Sequence, residues 1–273
     1  MTEPRRRRAE PEVPAIIRGS RKHVLDWTEQ ATFREELIEL LSPAVKVRVP
    51  NGSVWMPRGY AEKREARLET FGREVIPGSA IWSALQGWWL GGGRGNTPNW
   101  DLAAACELEG RPGLVLVEAK ANVPELCGDG KAMRAKASEA STKSHECIAR
   151  AIHEARVELR GLGHSTGISR DNHYQLSNRI AFSWKLASLD IPTVLVYLGF
   201  LDDQGVADAG EPFNDDPHWR SVFAEHAREV GAESLFEKGR IECGAAPAWF
   251  LVRSRRVLGA SPPRPSGRKR VRA

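Results

Sequence analysis

An apolar run that ends in charged residues constrains this chain more than any other segment. Residues 113–117 read Gly-Leu-Val-Leu-Val and are followed directly by Glu118, Ala119 and Lys120. A short run that is apolar on both faces is typical of a buried central strand. Because side chains alternate along a strand, Glu118 and Lys120 should project from one face while Ala119 points to the other. Charges at the end of a buried strand are costly, which favours a functional reason for them.

A second strand-like run precedes the first and supplies another carboxylate. Residues 99–108 contain Asp101 near their start, and Glu-Gly-Arg-Pro at 109–112 separates the two runs. This pattern predicts a β-hairpin, in which Asp101 lies near Glu118 and Lys120. Two carboxylates and an ammonium group would then converge. The alternative, that Glu118 and Lys120 belong to a solvated strand face, stays open for two charges at this spacing.

Two carboxylates beside a lysine are groups that phosphodiester hydrolysis can use. Mg²⁺ and Mn²⁺ prefer oxygen ligands, and such a cation activates water and compensates the charge that develops at phosphorus. We expect Asp101, Glu118 and the Ala119 carbonyl to hold Mg²⁺ (or Mn²⁺). Lys120 would orient the water and stabilise the transition state, since a lysine beside two carboxylates stays protonated. The sequence therefore predicts a metal-dependent phosphodiesterase site.

The remaining apolar pattern predicts alternating helices and strands. The expected helices cover residues 27–41, 60–71, 81–90, 133–162, 173–189 and 218–230, and further strands cover 193–201 and 248–252. The order helix, strand, strand, helix, strand favours an α/β fold, a three-layer α/β/α sandwich around a mixed central β-sheet.

These motifs together resemble the PD-(D/E)XK nuclease superfamily. Trp100-Asp101 stands where Pro-Asp is usual, and Glu118-Ala119-Lys120 follows at a hairpin's distance. A helix opening with Tyr-Gln-Leu-Ser-Asn-Arg at 174–179 is similar to the aromatic-Gln-x-x-Asn-Arg motif of a largely uncharacterised bacterial group in that superfamily. The likeness covers about residues 75–255. It implies a restriction-endonuclease-like fold and a nuclease, with DNA favoured over RNA as the nucleic-acid partner.

The resemblance also implies roles for the residues of the helix opening. Gln175 would belong to the catalytic site and hold a water or a phosphate oxygen. Asn178 and Arg179 would contact nucleic acid, Arg179 by pairing with a backbone phosphate. Spacings of three and four residues put all three side chains on one helix face. A solvated first turn or an interhelix hydrogen bond is the alternative.

Two further questions are left open by the resemblance. Many relatives carry an additional glutamate before the Asp strand, and the nearest acids here, Glu69, Glu74 and Glu125, are each more simply surface charges. The same fold can also serve a non-catalytic nucleic-acid-binding protein, or a structural member of a defence or repair assembly. The presence of Asp101, Glu118 and Lys120 together favours the enzyme.

Composition predicts one domain and a cytoplasmic location. A chain of 273 residues with 41% hydrophobic content can bury a full core. Its apolar stretches are strand-sized, so we expect no membrane partner. The N-terminal residues lack an apolar signal region, and the four cysteines form no Cys-x-x-Cys pair. We expect reduced thiols, and a homo-oligomer is compatible with the sequence.

The net charge of +5 is concentrated at the two ends of the chain. Residues 1–12 hold four Arg and three Glu, and residues 253–273 hold eight Lys or Arg and no acid. The remaining 13–252 contain 28 basic and 32 acidic residues. We therefore predict one domain at 15–252 between disordered basic tails at 1–14 and 253–273. Such tails would either strengthen nucleic-acid binding or act only as solubilising ends.

Overall fold

The apolar runs form a mixed β-sheet in the computed structural model, which describes residues 17–75, 78–91, 96–133 and 138–259. The strands are β1 (Val47–Arg48), β2 (Trp55–Met56), β3 (Ala66–Arg67), β4 (Asn99–Trp100), β5 (Leu102–Leu108), β6 (Arg111–Lys120), β7 (Thr193–Leu201), β8 (Arg240–Glu242) and β9 (Pro247–Arg256). The order in the main sheet is β1-β5-β6-β7-β9-β8, β2 also pairs with β5, and β3 and β4 form a separate pair. Strands β6, β7 and β9 are parallel, while the other described neighbours are antiparallel.

Helices flank this sheet. They are α1 (Gly19–Thr28), α2 (Phe33–Leu41), α3 (Arg73–Val75), α4 (Ser79–Leu90), α5 (Glu139–Gly161), α6 (Tyr174–Ser188), α7 (Asp216–Arg228) and α8 (Glu233–Lys238). Leu114 and Leu116 of β6 pack in one hydrophobic cluster with residues of α4 to α8, whereas Val115 and Val117 pack in another with α1 and α2. Because neighbouring strand residues face opposite ways, these clusters lie on the two faces of the sheet. The fold is therefore mixed α/β, with apolar contacts on both faces. None of the described helices is both long and apolar enough to cross a bilayer.

The predicted hairpin is confirmed and sets the position of the candidate site. Strands β5 and β6 pair from Leu108 with Arg111 to Leu102 with Val117. Glu109 and Gly110 form the turn with positive φ angles of 51° and 84°. The register brings Asp101, directly before β5, next to Glu118 near the end of β6.

The helix predicted over 60–71 is wrong. Ala66 pairs with Trp100 and Arg67 with Asn99, and the chain then forms a π-helical turn over Leu68–Gly72. Ala66 and Leu68 are buried while Arg67 is exposed, so the local period is that of a strand. The helix predicted over 27–41 is also divided into α1 and α2 by residues 29–32.

The predicted tail boundary at residue 253 is wrong as well. Strand β9 continues to Arg256, because residues 253–256 pair with residues 198–201 of β7. Arg253 donates to the Leu40 carbonyl at 2.8 Å, and Arg255 forms an ion pair with Glu36. The charges at this end of the strand are therefore part of the folded domain. The predicted tail at 1–14 and residues 260–273 lie outside the described residues.

Candidate active site

Asp101 occupies the one-residue break between β4 and β5. Its Oδ2 accepts a hydrogen bond from the Ala119 N–H at 2.8 Å, which ties it to the end of β6. The Ala119 side chain is buried in the cluster beneath α1 and α2, on the face opposite to Glu118 and Lys120, as the alternation predicts. The carboxylate of Asp101 is therefore fixed across the hairpin.

Glu118 is buried between two cations. Its Oε1 accepts from Lys120 Nζ at 2.6 Å, and its Oε2 accepts from Arg179 Nε at 2.7 Å. Burial by itself would raise the pKa of Glu118, but Arg179 and Lys120 outweigh burial and hold the pKa below its ordinary value. Glu118 is ionised at neutral pH as a result.

Asp101 has the opposite electrostatic environment. Burial, followed by the negative charge of Glu118, raises the pKa of Asp101 to about 7, against opposing contributions from Lys120, the Ala119 N–H and Arg179. Two neighbouring carboxyl groups thus differ in ionisation near neutral pH. A cation bound between them would favour the ionised form of Asp101.

Gln175 joins the cluster from the first turn of α6. Its Oε1 accepts from Lys120 Nζ at 2.8 Å, so the Lys120 ammonium is held between Gln175 and Glu118. The amide oxygen of Gln175 is therefore engaged by a protein cation, whereas the sequence suggests that it holds a water or phosphate oxygen. Binding of a water or phosphate oxygen by Gln175 stays a prediction, and the amide NH₂ group of Gln175 would be the donor for it.

Arg179 and Asn178, also on the first turns of α6, lie beside Glu118, and both side chains are buried. Arg179 donates to Glu118, to Asn178 Oδ1 at 2.7 Å and to the Asn99 carbonyl at 2.6 Å. Its guanidinium also stacks on the Trp100 ring, 4.4 Å from the ring centroid. These contacts make Arg179 a positioning residue for Glu118. The predicted contacts of Asn178 and Arg179 with nucleic acid stay predictions, and for Arg179 such a contact would require some of these bonds to break.

A cleft opens over this cluster. Two adjoining cavities of about 490 and 460 Å³ share Asp101, Glu118, Tyr174 and Gln175 among their lining residues. The floor of the cleft is the open end of the β5–β6 hairpin, where β5 begins and β6 ends, and one wall is the start of α6. The cleft therefore borders the groups that the sequence motifs place together, of which Glu118 and Lys120 remain almost fully buried at its floor.

The cleft also contains charged residues that the motifs did not single out. Lys131 is half-buried, with its Nζ 4.8 Å from the centroid of the Tyr174 ring, and burial lowers its pKa. It has no ion pair among the described residues. Lys131 follows a loop that hydrogen bonds to the start of α6, including a Tyr174 N–H bond to the Asp129 carbonyl at 3.0 Å. No periodicity in the sequence could have indicated this contact.

The acids considered as additional site residues lie in different places. Glu125 lines the cleft, and its Oε2 accepts from the Ala121 N–H at 2.9 Å. Glu69 instead accepts from the Thr97 N–H at 2.7 Å and does not line either cavity of the cleft. Glu74 does not line them either, whereas Glu65, which the motifs did not indicate, does. Sequence proximity to Asp101 was therefore a poor guide to which acid reaches the cleft.

The cleft offers few carboxylates to a metal ion. Within the part of the chain that the structure describes, no group of three or more His, Cys, Asp or Glu side chains is arranged to hold a metal ion. Mg²⁺ commonly uses one or two carboxylates and completes its shell with water and substrate phosphate. Asp101 and Glu118 are carboxylates that this mode of binding could use, and Glu118 would have to release Lys120 or Arg179 to do so. Metal binding by Asp101, Glu118 and the Ala119 carbonyl stays a prediction.

Comparisons with known proteins add no family assignment. Neither protein-family models nor curated proteins nor solved structures gave a match to this chain. The likeness to PD-(D/E)XK nucleases therefore depends on the motif residues and on the place where the fold brings them. Functional conclusions have to be argued from the cleft itself.

Proposed function

We propose that this protein is a metal-dependent nuclease of the PD-(D/E)XK type, which hydrolyses phosphodiester bonds in DNA. The observation that carries the proposal is the convergence of the Asp101 and Glu118 carboxylates and the Lys120 ammonium in the lining of one open cleft. A three-layer, restriction-endonuclease-like arrangement is part of the proposal. It is supported by the mixed sheet with apolar clusters on both faces.

Asp101 and Glu118, with the Ala119 carbonyl, would hold Mg²⁺ or Mn²⁺. When bound, the cation supplies water activation and charge compensation on the phosphate oxygens. Burial and, after it, the negative charge of Glu118 raise the pKa of Asp101, and a cation bound beside both carboxylates would offset both effects. Arg179 keeps Glu118 ionised and oriented, which is the form that a ligand to a hard cation needs.

Lys120 would act on the attacking water and on the phosphate. Its ammonium is fixed by Glu118 and Gln175, so it presents positive charge at one defined point of the cleft. Preorganised charge of this kind stabilises the negative charge that develops in the transition state. Gln175 contributes indirectly by holding Lys120, and we assign it a positioning role.

A non-catalytic nucleic-acid-binding protein is the second candidate. The observation that favours it is that both carboxylate oxygens of Glu118 are already paired with cations of the protein itself. In that case the cluster would be a buried ion network that maintains the cleft. Such a protein would bind nucleic acid with the same affinity in EDTA and in Mg²⁺ and would cleave none.

A cleavage assay separates the two candidates. Purified protein is incubated with plasmid, linear duplex, single-stranded DNA and RNA, each with Mg²⁺, Mn²⁺ or EDTA. We expect DNA cleavage with either cation and none in EDTA. Glu118→Gln should abolish cleavage, whereas Glu229→Gln, a matched change at an exposed glutamate that lines neither cavity of the cleft, should not. Cleavage that survives Glu118→Gln would refute the site.

The compartment and partners complete the proposal. All four cysteines are among the described residues and are free thiols, which is compatible with a reducing cytoplasm. We propose DNA as the partner there. Cell fractionation would test the location, and recovery in a membrane or secreted fraction would contradict it.

A further inference from the structure

A groove lined by arginines adjoins the cleft. This cavity, of about 740 Å³, has Trp55, Arg58, Arg64 and Arg67 among its lining residues, and we call these four residues the arginine groove. It shares Glu65 and Asn99 with the lining of the cleft. The groove and the cleft are therefore one continuous surface.

The same strand pair builds the groove and positions Asp101. Arg67 of β3 pairs with Asn99 of β4, and its Nε donates to Asn99 Oδ1 at 3.0 Å. The Asn99 carbonyl in turn accepts from Arg179, which holds Glu118. A ligand seated along Arg67 would therefore lie directly beside the carboxylates of the cleft.

The groove contains more cations than carboxylates. Four arginines, Arg21 and the three named above, and three glutamates line the cavity. Glu65 is paired with Arg21 at 2.8 Å, and Glu62 with the 81% exposed Arg64 at 3.5 Å. Arg58 and Arg67 form no ion pair among the described residues, and neither does the third glutamate, Glu74, so the cavity keeps a small excess of positive charge.

An aromatic ring lies among these cations. Trp55 is half-buried, and the Arg58 guanidinium carbon lies 5.7 Å from its ring centroid. Grooves that combine cations with an aromatic ring bind single strands, because phosphates pair with the cations while unpaired bases stack on the ring. A duplex keeps its bases stacked inside and could use only the cations.

We propose that the arginine groove binds a single-stranded segment of DNA next to the bond that is cleaved. The proposal rests on the proposed nuclease function and names its substrate more closely: a strand that is unpaired over the groove. Arg58, Arg64 and Arg67 would contact successive phosphates, and Trp55 would stack with a base.

Binding measured without cleavage tests the proposal. Fluorescence anisotropy of labelled (dT)₂₀ is recorded in EDTA over a range of salt concentrations, for the wild type and for the triple variant Arg58→Gln/Arg64→Gln/Arg67→Gln. The control is Arg48→Gln/Arg220→Gln/Arg228→Gln, which removes three exposed arginines that line neither the groove nor the cleft. Thermal unfolding confirms that both variants fold.

The groove variant should lose affinity and salt dependence together. Loss of three phosphate contacts should make the slope of log affinity against log salt shallower by about 2, and the control should leave it unchanged. Trp55→Ala should weaken (dT)₂₀ binding about tenfold. Trp55 also packs on Phe33, with ring centroids 5.0 Å apart, so Trp55→Ala can weaken binding by disturbing the fold. The comparison of the two triple arginine variants therefore decides the test.

Several results would overturn the proposal. Equal losses in the groove and control variants would mean that only net charge matters. An equal loss with a DNA hairpin duplex would make the groove a duplex contact, and tighter wild-type binding of (rU)₂₀ would make RNA the occupant. The binding assay contains no divalent cation and does not depend on cleavage. If the protein binds (dT)₂₀ through the arginine groove but never cleaves DNA, the proposed nuclease function is refuted and the proposed binding site is not.

Discussion

Asp101 should make the stability of the folded protein fall as the pH rises from acidic values to about 7. Its pKa is about 7 in the folded protein, against an ordinary value of 3.8. Between these values the folded protein holds a proton that the unfolded chain has released, so each increment of pH favours unfolding. The loss of stability is complete above pH 7, where both the folded and the unfolded state have released the Asp101 proton.

The magnitude follows from the size of that window. From pH 5.5 to 7 the cost accumulates at about 1.4 kcal/mol per pH unit, or about 2 kcal/mol in all. Asp101 is half-buried and reached by solvent from the cleft, so we expect about 1 to 2 kcal/mol. Asp101→Asn keeps an oxygen for the Ala119 N–H and removes the titration.

Urea denaturation in EDTA at pH 5.5 and pH 8 measures this effect. The free energy of unfolding of the wild type should fall between the two pH values by about 1 to 2 kcal/mol more than that of Asp101→Asn. Asp171→Asn, at an exposed carboxylate, is the matched control and should follow the wild type. The difference between the wild type and the variant cancels the contributions of groups that the substitution leaves unchanged. Identical pH dependences for wild type and Asp101→Asn would refute the electrostatic account of the cleft.

Three further results follow from the contacts around Glu118. Arg179→Met should lower the free energy of unfolding, measured by urea denaturation, by about 3 to 5 kcal/mol, because it leaves the buried Glu118 carboxylate with one partner fewer. The double variant Arg179→Met/Glu118→Gln should recover part of that loss, and no recovery would refute the ion-pair explanation. Asp101→Ala, Glu118→Ala and Lys120→Ala should each abolish DNA cleavage to a similar extent, since groups that act as one unit are not additive. Gln175→Ala should lower kcat more than it raises KM by releasing Lys120, with Gln175→Glu restoring part of the rate; a change in KM alone would assign Gln175 to substrate binding.

The parts of the fold with strong local periodicity could be predicted from the sequence. Strand β7, apolar throughout, and α4, with its tryptophans, lie where the pattern indicated. The hairpin and the grouping of Asp101, Glu118 and Lys120 also followed from period-two alternation and a turn of Glu-Gly-Arg-Pro. These features depend on residues close in sequence, which is why pattern was sufficient.

The surroundings of the site depended on contacts that have no local signature. Strands β3 and β4 are two residues long, so they show no alternation that could be distinguished from chance. The charged residues around them predict a polar helix, because the alternation of buried and exposed residues from Ala66 to Leu68 is too short to indicate a strand. Only the pairing with Trp100 decides between them. Lys131 and Glu65 could not be predicted as cleft residues for the same reason. Lys131 lies in a loop, and Glu65 directly precedes the two-residue strand β3.

Arg179 shows that a motif can indicate where a side chain lies without indicating which groups it contacts. Its position on the opening turn of α6 indicated a side chain directed at the cleft, and the structure places it there. Its charge indicated a phosphate partner, but a buried guanidinium must have its donors satisfied, and Glu118, Asn178 and Asn99 do so. Arg58, Arg64 and Arg67 are exposed instead, so a ligand could reach their guanidinium groups without breaking a buried network. Burial, which the motif does not encode, thus separates an arginine that orients a carboxylate from the exposed arginines for which we propose a nucleic-acid partner.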